Sequence, residues 1–270
     1  MFMPEADLRI SHWLEQLAPI SLDEMSGIKL MNRTDTKFVT SKQKLAELLE
    51  LAQGKYYAQQ INGQRIANYR TTYWDTPAHL FYLEHHNGRQ PRQKIRIRTY
   101  MDSDDSFLEV KTKNNHGRTK KKRISVPSQE RQDAIDAGGT RFIQGLTGQT
   151  FDTIIPTVQN QFQRITLVNF GKTERLTIDF NVRFHNYETE MDAVTGDLVI
   201  IELKRDGNVY SPILELLRKV RIKPHGFSKY CIGSAMTNWQ LKNNNFKFKM
   251  ITLSKLTGHR FRVPQEQIIS

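Results

Sequence analysis

In Lys94-Ile95-Arg96-Ile97-Arg98 three cations alternate with two isoleucines. Leu108-Glu109-Val110-Lys111-Thr112-Lys113, Ile201-Glu202-Leu203-Lys204 and Arg33-Thr34-Asp35-Thr36-Lys37 alternate charged with uncharged side chains in the same manner. Arg and Lys are the residues that grip phosphate oxygens, Arg through a two-pronged fork and Lys as a point charge. Glu109 and Glu202 each stand two residues before a lysine, and carboxylates hold Mg2+ or Mn2+ jointly with phosphate oxygens. Residues of these types suit phosphate binding and phosphoryl transfer, which demands positioning and charge neutralisation more than covalent chemistry.

An alternation of period two belongs to a β-strand, whose successive side chains point to opposite faces, so each segment has one charged and one uncharged face. For any single strand the simplest reading is a half-exposed sheet with its charges in solvent. As a set, these strands are rich in phosphate-binding cations, and helices are at hand to cover their apolar faces. That combination points to a sheet closed with its charged face inward. Alternate residues on a strand lie about 6.6 Å apart, so such a barrel lines a pore with cations at intervals suited to a linear polyanion.

Further β-rich stretches fall at residues 56–61, 66–74, 121–126, 157–169 and 175–184. Asn62-Gly63, between the first two, is a hairpin signal. Helices are expected at 7–17, at 42–52 behind a Ser41 cap, and from Thr76-Pro77 to Asn87-Gly88. Others are expected between 128 and 148, at 212–220 and at 228–239. The fold class is α+β, one domain built on a large antiparallel sheet.

With 40 Lys and Arg against 28 Asp and Glu, the formal charge is +12, so an anionic partner is expected. Nucleic acid, phosphorylated metabolites and acidic lipid all meet that condition. No apolar run reaches membrane-spanning length; the richest, Leu198-Val199-Ile200-Ile201, stops at Glu202. Glu5 and Asp7 leave no basic-then-apolar leader pattern, and the single Cys231 allows no internal disulfide, so a reducing, cytoplasmic setting is expected. Gly171-Lys172-Thr173 looks like the end of a phosphate-binding loop, but Thr166 stands where that loop needs its first glycine. His85-His86 read as a solvated helix face rather than metal ligands. The basic run 118–123 reads as a solvated face or pore mouth, because no RNA-stacking aromatic motif accompanies the charge.

Seven short segments in order carry a resemblance: Arg33-Thr34-Asp35-Thr36-Lys37-Phe38, Tyr73-Trp74-Asp75-Thr76-Pro77, Lys94-Ile95-Arg96-Ile97-Arg98, Glu109-Val110-Lys111, Phe162-Gln163-Arg164, Ile201-Glu202-Leu203-Lys204 and Phe227-Ser228-Lys229-Tyr230. The chain resembles the triphosphate tunnel metalloenzyme (CYTH-like) superfamily. It is most similar to the VTC branch, the polyphosphate polymerase domain of the vacuolar transporter chaperone complex and its bacterial relatives. The resemblance implies an eight-stranded antiparallel tunnel-like β-barrel with flanking helices. It implies transfer of the γ-phosphate of ATP to a polyphosphate chain with Mn2+ or Mg2+. Lys37, Arg96, Arg98, Lys111, Arg164 and Lys229 are the implied catalytic contacts. Ser228, Lys204 and one of Lys120, Lys121 and Lys122 are implied to bind substrate. Glu202 is the implied main metal ligand, with Glu109, Asp35 and Asp179 as helpers.

On the same reading the chain divides into a helical segment packed on the barrel (1–32), the tunnel domain (33–240) and a poorly ordered basic tail (241–270). No specific nucleic acid is expected, and a membrane-embedded partner is a further implication. Two departures matter. The superfamily's acidic Glu-x-Glu-x-Lys first strand is here Arg33, Asp35 and Lys37, which leaves one carboxylate where two bind metal and argues against a hydrolase. Phe162 stands where a tyrosine is expected, removing a phenolic contact to phosphate. The leading function is an ATP-dependent polyphosphate polymerase. A tripolyphosphatase or nucleoside triphosphatase, a non-catalytic polyphosphate-binding module and charge-driven nucleic-acid binding compete with it.

Overall fold

The structure, a computed structural model, describes residues 4–262 apart from 27, 29–32, 116–118, 127–134, 136, 137, 152 and 208. Its strands are β1 (Ala18–Ile20), β2 (Arg33–Ser41), β3 (Tyr56–Gln59), β4 (Ala67–Asp75), β5 (Arg92–Tyr100), β6 (Asp105–Lys113), β7 (Thr119–Val126), β8 (Ile155–Asn169), β9 (Glu174–Asn186), β10 (Asp192–Val194) and β11 (Leu198–Asp206). Eight of them follow one antiparallel path, β2-β11-β9-β8-β4-β5-β6-β7, while β1, β3 and β10 are short additions. The helices are α1 (Glu5–Gln16), α2 (Leu22–Ser26), α3 (Lys42–Leu51), α4 (Leu80–His86), α5 (Gly139–Thr147), α6 (Pro212–Lys219), α7 (Lys229–Thr237) and α8 (Lys247–Thr257). Among the described residues no helix is long and apolar enough to cross a membrane.

The period-two pattern sorts the sheet into two faces. Phe38, Ile165, Leu167, Ile178, Ile201 and Leu203 bury one face against Leu45, Leu48 and Leu49 of α3, Ile10 and Leu14 of α1, and Ile213 and Leu217 of α6. Each such side chain contributes roughly 1.5–3 kcal/mol by leaving water. Ser41 ends β2 and caps α3, its hydroxyl accepting from Lys44 N at 3.4 Å, so the strand turns directly into its covering helix.

The other face curls inward. The hydrogen-bonded path ends at β2 and β7, so the backbone ladder does not close on itself. Residues 224–228 bridge β2 to β5. His225 N donates to the Lys37 carbonyl at 2.8 Å, Lys37 Nζ donates to the Phe227 carbonyl at 2.9 Å, and Lys94 Nζ donates to Ser228 Oγ at 2.9 Å. From Ser228 the chain enters α7, which fills one end of the barrel. Tyr230, Cys231, Ile232 and Ala235 belong there to the apolar cluster that includes Val39, Val158, Phe184 and Ile200. Gly233 lies so close to the Phe184 ring that a Cβ would overlap it.

Four sequence expectations change. Asn62-Gly63 does form a tight turn, with Ile61 and Gln64 exchanging hydrogen bonds of 2.9 and 2.8 Å, but β3 and β4 do not pair with each other. Both pair with β8, whose 15 residues accommodate them end to end. Thr76-Pro77 does not open a helix: α4 starts at Leu80, with the buried Asp75 carboxylate accepting from the backbone N–H of Thr76, Phe81 and Tyr82. The C-terminal segment is ordered through α8, because Phe246, Met250, Leu253 and Phe261 are buried. His86 is buried and hydrogen-bonded to Asn87 and Asn245 rather than solvated. Of the helix expected between 128 and 148, the described part is α5; residues 127–134, 136 and 137 lie outside the described residues.

Candidate functional site

Register identifies the inward side chains. Across β2, β11 and β9, Lys37 faces Glu202 and Glu202 faces Thr177. Asp179 of β9 faces Arg164 of β8. On β4, β5 and β6, Tyr73 faces Arg96 and Arg96 faces Glu109, while Thr71 faces Arg98. Lys94 faces Lys111, which faces Lys121 of β7. The curl then brings the two ends of the path together: Lys37 and Glu202 are electrostatic neighbours of Lys111, although β2 and β6 are not paired.

Two carboxylates are clamped by cations. Arg96 Nε and Lys121 Nζ donate to opposite oxygens of Glu109 at 2.7 and 2.8 Å, and the Glu109 side chain is 1% exposed. Arg164 grips Asp179 bidentately at 2.6 and 2.9 Å, and Lys229 donates to the same carboxylate. Burial acts to raise both acids, but Arg96, Arg98 and Lys121 outweigh it at Glu109, and Arg164 and Lys229 outweigh it at Asp179. Both are held well below the usual carboxylate range. Glu202 differs: Lys204 meets it at 3.2 Å, and 23% of its side chain stays exposed. Burial would raise it too, yet Lys204, Lys37 and Lys111 hold it low.

The cations are in excess. Lys37, Lys94, Arg96, Arg98, Lys111, Lys121, Arg164, Lys204 and Lys229 gather around four carboxylates, Glu109, Asp179, Glu202 and, at the exposed end of β2, Asp35. Burial pushes Lys94, Lys111 and Lys229 down to about 8 each, with cationic neighbours adding to the effect and Asp179 or Glu202 only partly opposing it at the latter two. Burial and then Arg96 also lower Arg98, whose Nε is buried with no hydrogen-bond partner. A guanidinium donor left unmade in a dry site costs free energy that a bound anion relieves.

Of the residues expected from sequence, Lys37, Arg96, Arg98, Lys111, Arg164, Lys204, Lys229, Glu109, Asp179 and Glu202 share this inward face. Lys121 shares it too, at its exposed edge, whereas Lys120 and Lys122 pair with Thr112 and Val110 on the opposite face. Asp35, opposite Lys204, also lies on the inward face, at the exposed end of β2. Ser228 caps α7, accepting from Cys231 N at 3.3 Å and from Lys94. Among the described residues no three His, Cys, Asp or Glu side chains converge as a ready-made metal cage.

Sequence reasoning had no role for Lys94, although its alternation with Arg96 and Arg98 was the available signal. It also had no role for Tyr69. Tyr69 stacks on Phe162 with centroids 5.2 Å apart, and the Arg164 guanidinium lies 4.9 Å over the Tyr69 ring. The Phe162 ring in turn carries Lys229 Nζ at 4.1 Å, so Phe162 orients a cation rather than presenting a hydroxyl.

A charged inner face on a curled antiparallel sheet is what the seven segments implied, and the VTC domain family matches this sequence over residues 32–238. The chain belongs to the VTC domain family. Polyphosphate and triphosphate handling is therefore the function class of this VTC domain. No curated protein matches the chain. Among solved structures, it is similar to a candidate adenylyl cyclase from Hippeastrum, described as having a dominant triphosphatase activity. That match has 14% identity and a TM-score of 0.46, over 75% of this chain and 94% of that one. It is also similar to a candidate adenylate cyclase from Vibrio parahaemolyticus, at 8% identity and a TM-score of 0.43, over 75% of this chain and 97% of that one.

Proposed function

We propose that this VTC domain is a metal-dependent ATP:polyphosphate phosphotransferase that lengthens a phosphate chain held in its tunnel. The observation that carries the reading is the charge imbalance at the tunnel centre. Nine cations meet four carboxylates there, and cations engage both oxygens of Glu109 and of Asp179. Excess cations call for a polyanion, and cations repeated at about 6.6 Å along each strand and on neighbouring strands offer contacts along the length of an extended phosphate chain.

Arg96 and Arg98 fix phosphate oxygens in orientation, and Lys37, Lys94, Lys111 and Lys229 neutralise their charge. A terminal oxygen of the chain attacks the γ-phosphorus of ATP. The bond from that phosphorus to the β–γ bridging oxygen breaks, ADP leaves with the electron pair, and the chain is one phosphate longer. The attacking oxygen is already anionic, so no side-chain base is needed. Glu109 and Asp179 act as positioning residues, aiming Arg96, Lys121, Arg164 and Lys229. Glu202 fits a Mg2+ or Mn2+ contact, since such an ion takes one carboxylate together with phosphate oxygens, and when bound it neutralises charge on the transferring group.

A hydrolase of the same fold is the second reading. Arg33 and Asp35 stand where its paired metal-binding carboxylates would be, which favours transfer. Incubation with ATP and Mn2+ or Mg2+, with and without short polyphosphate, separates the two on a gel. A ladder of chains, absent with Glu202→Gln, is the expected product. Free phosphate without chains would establish the hydrolase instead.

A further inference from the structure

The seam where residues 224–228 join β2 to β5 holds a second group of cations. Lys249 of α8 reaches it: a Cβ placed on Gly226 would stand 3.9 Å from its Nζ. Arg92 opens β5 two residues before Lys94, whose ammonium bonds Ser228 in the same segment. Neither Arg92 nor Lys249 makes an ion pair among the described residues. His225 donates its backbone N–H to Lys37, and its ring Nδ1 is buried with no hydrogen-bond partner.

His85 of α4 faces the same place. Its electrostatic neighbours are Lys94, Arg92, Lys249 and Lys37, every one a cation, and its Nδ1 is also buried without a partner. Burial, followed by those cations, pushes the His85 imidazole down to about 2. The neutral ring has one N–H to donate. Buried ring nitrogens without partners, beside cations without carboxylates, are the complement of an anion rich in acceptor oxygens.

We infer that the seam is a further phosphate subsite adjoining the tunnel, built by His85, Arg92, His225 and Lys249, that takes one phosphoryl group. That group is either the far end of a chain lying in the tunnel or free orthophosphate. The inference rests on the tunnel being a phosphate-chain site. It extends that reading to a helix outside the family match, which ends at residue 238.

Calorimetric titration of the full chain with orthophosphate, tripolyphosphate and long-chain polyphosphate tests it. The key variant is Lys249→Ala, with the exposed Lys255→Ala on the same helix as a control of equal charge change. Lys249→Ala should weaken one probe by roughly ten-fold, the loss of about one charge-assisted contact, and leave tripolyphosphate unchanged. A loss confined to the long chain identifies a chain end, and one confined to orthophosphate identifies the free ion. Arg92→Ala should repeat the pattern. Wild-type binding of tripolyphosphate with Lys249→Ala no different from Lys255→Ala on every probe overturns the subsite alone. A wild-type protein that binds none of the three overturns the tunnel reading as well.

Discussion

At Asp179 one buried carboxylate neutralises two cations, Arg164 and Lys229, and that arrangement can be broken from the acid side. Asp179→Asn leaves both cations buried without the carboxylate they share. It should cost about 3 kcal/mol of folding stability in a denaturant titration. Saturating tripolyphosphate should recover part of that loss, because phosphate oxygens replace the missing charge; a variant as stable as the parent would mean the pair is already solvated. A second consequence concerns protons. Lys94 and Lys229 sit near 8, so near pH 8 each is about half charged. A bound polyanion favours the charged form and raises both values, so binding takes up protons at that pH. Affinity is fully developed below about 8 and declines as pH rises through it. Calorimetry at pH 8 in buffers of different ionisation enthalpy reads the uptake directly, and no buffer dependence would contradict it. Residue roles were partly legible in the sequence. Period-two alternation separated Arg96 and Arg98 from Ile95 and Ile97, because charge contrasts with hydrocarbon there. In Lys120-Lys121-Lys122-Arg123 every residue is a cation, so no contrast exists, and only the pairing of Lys121 with Lys111 and of Arg123 with Glu109 reveals which two lie on the inward face.

Among the elements, α7 links fold and site. Its first residues meet the cation ring while its body is packed in the apolar end of the barrel, with Tyr230 stacked on Tyr73 at 4.9 Å and Gly233 against Phe184. Gly233→Ala should overpack that contact and cost roughly 1–3 kcal/mol. Because the helix must shift to relieve the overlap, Lys229 and Ser228 should move with it, and tripolyphosphate affinity should fall alongside the melting temperature. Unchanged affinity in a destabilised variant would show that the first turn is held independently of the body. Element types were legible wherever the signal was local: the Ser41 cap, the strand alternations and the helix after Ser228 all appear where expected. Pairing partners were not. The Asn62-Gly63 turn formed, yet β3 and β4 found their partner in β8, a strand whose position depends on the whole sheet. The helix expected at Thr76 was delayed because Asp75 is buried and satisfies the backbone donors at its start, a tertiary effect no local cap reports.

For the whole molecule, the two faces of one sheet divide the labour. Hydrocarbon on one side holds α1, α3 and α6 and stabilises the fold, while cations on the other concentrate positive charge that opposes it. A ligand that binds only the folded form should therefore stabilise markedly, by about 2.7 kcal/mol at a hundred-fold excess over Kd. Sequence could establish that charged faces exist, but not that they turn toward each other, since the curl that brings Glu202 near Lys111 joins strands about ninety residues apart. The most direct test of this division compares tripolyphosphate affinity in Arg98→Ala, which removes an inward cation, with Lys120→Ala, which removes an outward one at equal cost in net charge. Arg98→Ala should lose ten-fold or more of affinity while Lys120→Ala stays within about two-fold of the parent. Equal, small losses in both would mean that phosphate is held by the general charge of the molecule and not by the inner face of its tunnel.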